Sequence, residues 1–181
     1  MTEWFGKFSR QSGANRADEI EPDARGARWF RRHLASGVVA LTTVVDGQFR
    51  ASTVTAVMAV STEPFLVLVS LEAESQMAGW LQQSSVFGLS LLPWTEQFIA
   101  DQFAGFTPLA PRTFSGIPHH VEVTGSPLLD HAIVWADCRV VNAIEIGDHT
   151  AIVGEVLGLG SGDGSIDDPM VYFLNRYRRL Q

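Results

Sequence analysis

Residues 38–60 read Val38-Val39-Ala40-Leu41-Thr42-Thr43-Val44-Val45-Asp46-Gly47-Gln48-Phe49-Arg50-Ala51-Ser52-Thr53-Val54-Thr55-Ala56-Val57-Met58-Ala59-Val60. Two runs rich in valine, threonine and alanine flank a single Asp-Gly pair. Such a pair accepts the positive φ angles of a two-residue hairpin turn, so the stretch predicts two antiparallel strands, Val38 to Val45 and Phe49 to Val60. Downstream, Thr62-Glu63-Pro64 is a turn, and Phe65 to Leu71 is an apolar run too short for a typical helix. It predicts a buried strand. Ser75 can cap a helix through Gln83, and Val86 to Leu92 predicts another strand stopped by Pro93. Thr95 can cap a second short helix that carries Phe98, Ile99 and Phe103 toward the core and stops at Gly105. Three further β runs are expected at His120 to Thr124, Ile133 to Ile146 and Thr150 to Leu159, with a tight turn at Gly147-Asp148 between the last two. A Gly/Asp/Ser loop from Gly160 to Asp168 precedes the end segment Met170 to Leu180.

Upstream, Ala27, Phe30 and Leu34 recur at helical spacing, and Gly37 stands where a helix end favours positive φ. Residues 1–26 carry no sustained apolar period beyond Trp4, Phe5 and Phe8 and are expected to be a loosely ordered arm, with one domain over residues 27–181. Most strands are joined by hairpin-length connections, so parallel βαβ units are not what the sequence describes. A mainly β, antiparallel barrel with a few short helices is.

The composition fits that reading. The chain has 181 residues, 46% apolar and 18% charged, enough for one core without metal or disulfide support. Its net charge of −7 lacks the basic excess that phosphate backbones demand, so nucleic acid is not an expected partner. No apolar run reaches the roughly 18 residues of a membrane span, and Cys138 is alone. A reducing, cytoplasmic setting without membrane attachment is expected. No phosphate loop, zinc-protease helix, nucleophile elbow or dinucleotide fingerprint is present. Of the five histidines only His119 and His120 are adjacent, and neighbours on a strand face opposite ways, so no metal site is indicated. The five tryptophans, Trp4, Trp29, Trp80, Trp94 and Trp135, read as core or interface residues.

One segment suggests chemistry. At Ser52-Thr53-Val54-Thr55-Ala56 hydroxyls interrupt an apolar strand; threonine simply suits strands, but small residues also let a flat ligand lie against the main chain. Ser70 and Ser75 add hydroxyls on neighbouring elements, Ser75 at a helix start where N–H groups favour an anion.

These segments, in the order Phe30-Arg31-Arg32 to Gly37-Val38, Thr53 to Val57, Val60 to Pro64, Leu66 to Leu71 with Ser75, and Phe87 to Leu92, resemble the flavin reductase-like family. The likeness continues through Phe103 to Gly105, Thr124 to Leu129, Cys138 to Val140, Gly147 to Thr150, Val153 to Val156 and Tyr177 to Leu180. The resemblance implies a Greek-key split barrel binding FMN or FAD, a homodimer, and hydride transfer from NADH or NADPH to flavin. Reduced flavin is often passed to a partner flavin-dependent monooxygenase. By resemblance Thr53, Val54, Thr55 and Ala56 line the isoalloxazine, Ser70 and Leu71 face the ribityl chain, and Ser75 with Gln76 lies near the phosphate. Phe103, Ala104 and Gly105 close over the ligand, and His149 stands near the flavin ring and the nicotinamide as the catalytic residue. Arg112 and Phe114 either approach the pyridine nucleotide or are a solvated arginine and an anchoring phenylalanine.

Two departures from the family pattern stand out. Glu72-Ala73-Glu74 replaces a basic residue and hydroxyls, and two carboxylates repel a phosphate dianion; weak FMN binding, preference for another flavin, or side chains turned outward each follow from this. Ala56-Val57-Met58 replaces Ser-Phe-Thr. A flavin-binding electron-transfer or storage protein, and a barrel that has lost its flavin, are the competing readings.

Overall fold

The structure, a computed structural model, describes residues 20–107, 113–164, 166 and 168–180. The chain forms two units, residues 1–31 and residues 32–181. The arm expected at Trp4, Phe5 and Phe8 lies outside the described residues.

In the first unit helix α1 (Ala24–Arg32) begins three residues before the expected Ala27. The cause is Asp23, whose side-chain oxygen accepts the Gly26 N–H at 2.7 Å and so satisfies a first-turn donor. Trp29 and Phe30 are exposed rather than turned into a core.

The second unit opens with β1 (Ser36–Gly37). Gly37 is thus a strand residue paired with Val171, not the left-handed helix stop its position suggests. The main sheet has seven strands. In chain order they are β2 (Val39–Val45), β3 (Gln48–Val54), β4 (Val57–Thr62), β5 (Phe65–Glu72), β6 (Val86–Leu91), and two strands named below, β9 and β10. Strands β7 (His119–Val121) and β8 (Pro127–Leu129) pair with each other, β9 (Val134–Ile146) and β10 (His149–Ser161) form the long hairpin, and β11 (Met170–Phe173) joins β12 (Arg176–Arg179). The sheet order is β3-β2-β6-β9-β10-β5-β4, antiparallel throughout.

That order overturns one expectation. The run from Phe49 to Val60 is not one strand: it breaks at Thr55-Ala56 into β3 and β4, which lie at opposite edges of the sheet. Three extended residue steps span at most about 11 Å, so Val54 and Val57 hold the two edges together. A seven-stranded sheet whose edges meet must curl into a barrel, split where β3 and β4 do not pair.

Two side-chain clusters follow from the strand alternation. Val39, Leu41, Val54, Val69, Leu71, Phe87 and Ile152 form one core with Met77, Ala78 and Leu81 of α2 (Gln76–Ser84). Gly154 faces Phe87 so closely that a Cβ there would stand 2.3 Å from Cζ. On the other face Ala40 and Ala51 pack with Ala100 and Phe103 of α3 (Gln97–Ala104), and with Phe114, Leu129 and Met170. Thr95 does not cap α3 but lies inside a 3-10 turn, Trp94–Glu96, and Phe98 points to solvent at 62% exposure. Ala100 and Phe103 take the core positions, with Ile99 packed against them.

The strand expected to Thr124 ends at Val121. The Thr124 N–H and hydroxyl both go to the buried carboxylate of Asp137, the N–H at 2.8 Å, which removes Thr124 from any ladder. The end segment is a hairpin turned at Leu174 and Asn175, with φ of 53° and 59°.

Candidate functional site

Three chain segments meet at the C-terminal end of β5. Ser70 lies opposite Ala151, Leu71 opposite Thr150 and Glu72 opposite His149 of β10. On the other side the Ser70 N–H donates to the Ala56 carbonyl at 2.9 Å. The chain then turns: the Ala73 N–H donates to the Asp148 carbonyl and the Ser75 N–H to the Glu72 carbonyl, each at 3.0 Å. Ala56, Ser70, Leu71, Ser75, Gln76 and His149 are therefore gathered at one end of the barrel.

Within this group the side chains have different duties. The Leu71 side chain is buried in the core. The Ser75 oxygen accepts the Ala78 N–H at 3.3 Å, so it caps its own helix. Gln76, Glu72 and Glu74 are exposed. The His149 Nδ1 lies 2.8 Å from Asp148 Oδ1, with 26% of the side chain accessible. With Nδ1–H donating to that carboxylate, Nε2 is left free to accept or, once protonated, to donate a proton.

Thr53 and Val54 approach along β3. Because β3 is an edge strand, its outer main-chain N–H and C=O groups have no strand partner among the described residues. Val54 fills the core, and the Thr53 hydroxyl donates to the Ala100 carbonyl at 2.7 Å, tying β3 to α3. Thr55 is half-buried and Ala56 exposed. Small side chains beside an unpaired main-chain edge give a flat polar molecule something to pair with.

The end of α3 is less simple. Phe103 is wholly buried, so no surface of its ring faces a ligand; Ala104 is half-buried and Gly105, at φ 79°, is exposed. Phe114 is also buried, its ring centroid 5.5 Å from Phe49, 5.3 Å from Phe103 and 5.1 Å from His119. It serves as the anchoring phenylalanine. Arg112 lies outside the described residues.

Two features escaped the sequence reading. Among the described residues two buried side-chain polar atoms have no partner, Arg50 Nε on β3 and Thr107 Oγ1 just beyond α3. A lone arginine in an apolar strand was the available signal for the first. Elsewhere, burial pushes the Cys138 thiol up to about 12, with Asp137 adding to the rise, so it is no nucleophile. Among the described residues no cluster of three or more metal-ligating side chains occurs, and no helix is long and apolar enough to cross a membrane.

The fold is one that solved flavin reductases share. The chain belongs to the flavin reductase like domain family, which matches residues 30–181. It is 32% identical over 169 residues to the FMN reductase (NADH) RutF of Ancylobacter novellus, covering 93% of this chain and 91% of that one. It is 30% identical over 145 residues to the reductase component of 4-nitrophenol 4-monooxygenase/4-nitrocatechol 2-monooxygenase of Rhodococcus opacus, covering 80% and 75%. Among solved structures, the NADH:FAD oxidoreductase SgcE6 of Streptomyces globisporus superposes with a TM-score of 0.82 at 26% identity, over 92% of this chain and 99% of that one.

Proposed function

We propose that this chain is an NADH-dependent flavin reductase that takes FMN or FAD at the split of its barrel. The observation that carries the reading is the open β3 edge at Thr53 and Val54, continued by the Thr55-Ala56 link, whose Ala56 carbonyl accepts the Ser70 N–H, with His149 nearby on β10. A planar ring with a polar rim fits a main-chain edge bordered by small side chains.

Bound there, the flavin supplies the hydride acceptor and NADH the donor, so the protein needs no nucleophile of its own. The main-chain N–H groups at 53–56 hold the ring by its polar edge and favour negative charge on it. Ser70 faces the ribityl chain, Ser75 and Gln76 bound the path of its tail, and Ala104 with Gly105 border the ring. His149, oriented by Asp148, positions the nicotinamide and holds a proton at Nε2.

Relatives named for NADH support that donor over NADPH, and the Rhodococcus opacus protein's name supports delivery of reduced flavin to a partner monooxygenase. Exposed Met58 and Val60 on β4 and Val141, Ile144 and Ile146 on β9 support a homodimer. A lone buried thiol together with a nicotinamide donor supports a cytoplasmic location.

Steady-state oxidation of NADH by the purified protein with FMN, FAD and riboflavin tests the reading. Flavin-dependent loss of the NADH absorbance is expected. Flavin binding without NADH oxidation would instead favour the storage protein, and no flavin binding the empty scaffold.

A further inference from the structure

We propose that Arg50, whose guanidinium lies on the Trp80 indole with a buried and unpartnered Nε, is the anchor for the phosphate of the flavin tail; this rests on the flavin reading above. Buried N–H donors are nearly always paired in a folded protein, so the unpartnered Nε marks a guanidinium whose set of acceptors is incomplete.

Position supports the assignment. Alternation along β3 puts Arg50, Ser52 and Val54 on one face, and Val54 packs in the cluster that contains Met77, Ala78 and Leu81 of α2. Arg50 therefore faces α2, and its Cζ stands 5.2 Å from the Trp80 ring centroid. One terminal nitrogen of Arg50 donates to Gln48 Oε1 at 2.9 Å, which fixes the plane of the group. At a strand rise of about 3.3 Å per residue, Arg50 stands about 10 Å upstream of Thr53, a separation of the order of a five-carbon polyol with its ester oxygen.

The helix opposite leaves room. Gln76, Gly79, Trp80 and Gln83 share one face of α2 by their spacing, and a side-chain carbon added at Gly79 would meet nothing within 4 Å. Gln83 lies 3.5 Å from Asp46, which ties the far end of this face to the β2–β3 turn.

Charge decides between Arg50 and the start of α2. Between Arg32 and Arg112 the sequence holds one Lys or Arg, and it is Arg50. A phosphate at Ser75 would meet exposed Glu72 and Glu74 and a hydroxyl already engaged by its own helix. A phosphate at Arg50 meets a guanidinium of fixed plane with a donor to spare, and charge-assisted bonds of this kind are the strong ones. The positive charge that segment 72–74 lacks is thereby supplied from β3, on the strand facing α2.

The test compares FMN with riboflavin, which carries the ring and polyol but no phosphate, by isothermal titration and flavin fluorescence. In the wild type FMN should bind more tightly than riboflavin, and rising salt should weaken FMN alone. Arg50→Gln should weaken FMN by about ten- to a hundredfold while riboflavin changes less than about twofold. Arg50→Lys, which keeps the charge without the Nε donor, should fall between, and it carries the test if the glutamine variant does not fold. Equal weakening of both flavins, or no change in either, overturns the assignment. If the wild type binds neither flavin, the flavin reading itself fails and this inference with it.

Discussion

Ala56, the second residue of the link that joins the edges of the sheet, accepts the Ser70 N–H at 2.9 Å and so extends the β4–β5 ladder up to the split of the barrel. One main-chain bond thus sets the distance between the strand that offers its open edge and the strand that carries Ser70. Everything proposed for flavin binding depends on that spacing.

Lengthening the link should separate stability from activity. One glycine inserted between Thr55 and Ala56 adds little loop entropy, since even a doubling of a loop costs about 0.6 kcal/mol. The same insertion lets the two edges drift by an ångström or more, and misplacement on that scale costs about a hundredfold in rate. The expected result is a urea midpoint close to wild type with NADH oxidation reduced about a hundredfold. A variant as active as wild type would show that the spacing is not what positions the flavin.

Gly154 tests the barrel core. A Cβ at this position would lie 2.3 Å from Phe87 Cζ and 2.6 Å from Cε1, and Phe87 is wholly buried with nowhere to swing. Gly154→Ala should cost about 1–3 kcal/mol in urea unfolding, and adding Phe87→Leu should recover part of it. An additive double variant would mean the clash is relieved elsewhere.

The elements that local chemistry decides were readable from the sequence. Asp46-Gly47 turns the β2–β3 hairpin, Ser75 caps α2 and Gly105 ends α3 in a left-handed conformation, as the residue types predict. The break at Thr55-Ala56 was not readable, because no glycine or proline marks it and an apolar run looks the same whether it lies on one sheet edge or passes between two. Strand β8 was hidden for another reason: Pro127-Leu128-Leu129 is too short to show a period. Of the site, the gathering of Ala56, Ser70 and His149 is a product of register between distant strands. For Phe103 and Phe114 the sequence offered both a core and a ligand-facing reading, and packing decides for the core.

His131 gives a pH dependence of defined sign. Its side chain bonds Asp163 at 2.7 Å, and that bond, opposed by slight burial and helped by the charges of Asp163, Glu96 and Asp130, raises its pKa above the ordinary 6.5. The folded state then binds a proton more tightly than the unfolded state. The extra stability is full below the unfolded pKa and is lost as pH rises through the folded one. Both side chains are about half exposed or more, so solvent screening keeps the effect small. A proton NMR titration should place the His131 midpoint above 6.5, and Asp163→Asn should return it toward 6.5. The difference in urea midpoint between wild type and variant should be greater at about pH 5.5 than at about pH 8.5.

His149 and Asp148 adjoin on the β9–β10 turn, and their roles can be told apart kinetically. In the proposed site His149 is the group that would reach the nicotinamide, while Asp148 would act through it by holding Nδ1 at 2.8 Å. His149→Ala removes both the positioning surface and the proton at Nε2, so kcat/KM for NADH should fall by about a hundredfold or more. Asp148→Asn keeps a hydrogen-bond acceptor beside Nδ1 but holds the ring less firmly. Its effect on kcat/KM should be smaller than that of His149→Ala, because the ring itself stays in place. If His149→Ala oxidises NADH with unchanged kcat and KM, the histidine is a solvated turn residue and the nicotinamide is positioned by other groups. If Asp148→Asn matches His149→Ala at every pH, the carboxylate contacts the substrate directly instead of orienting the ring.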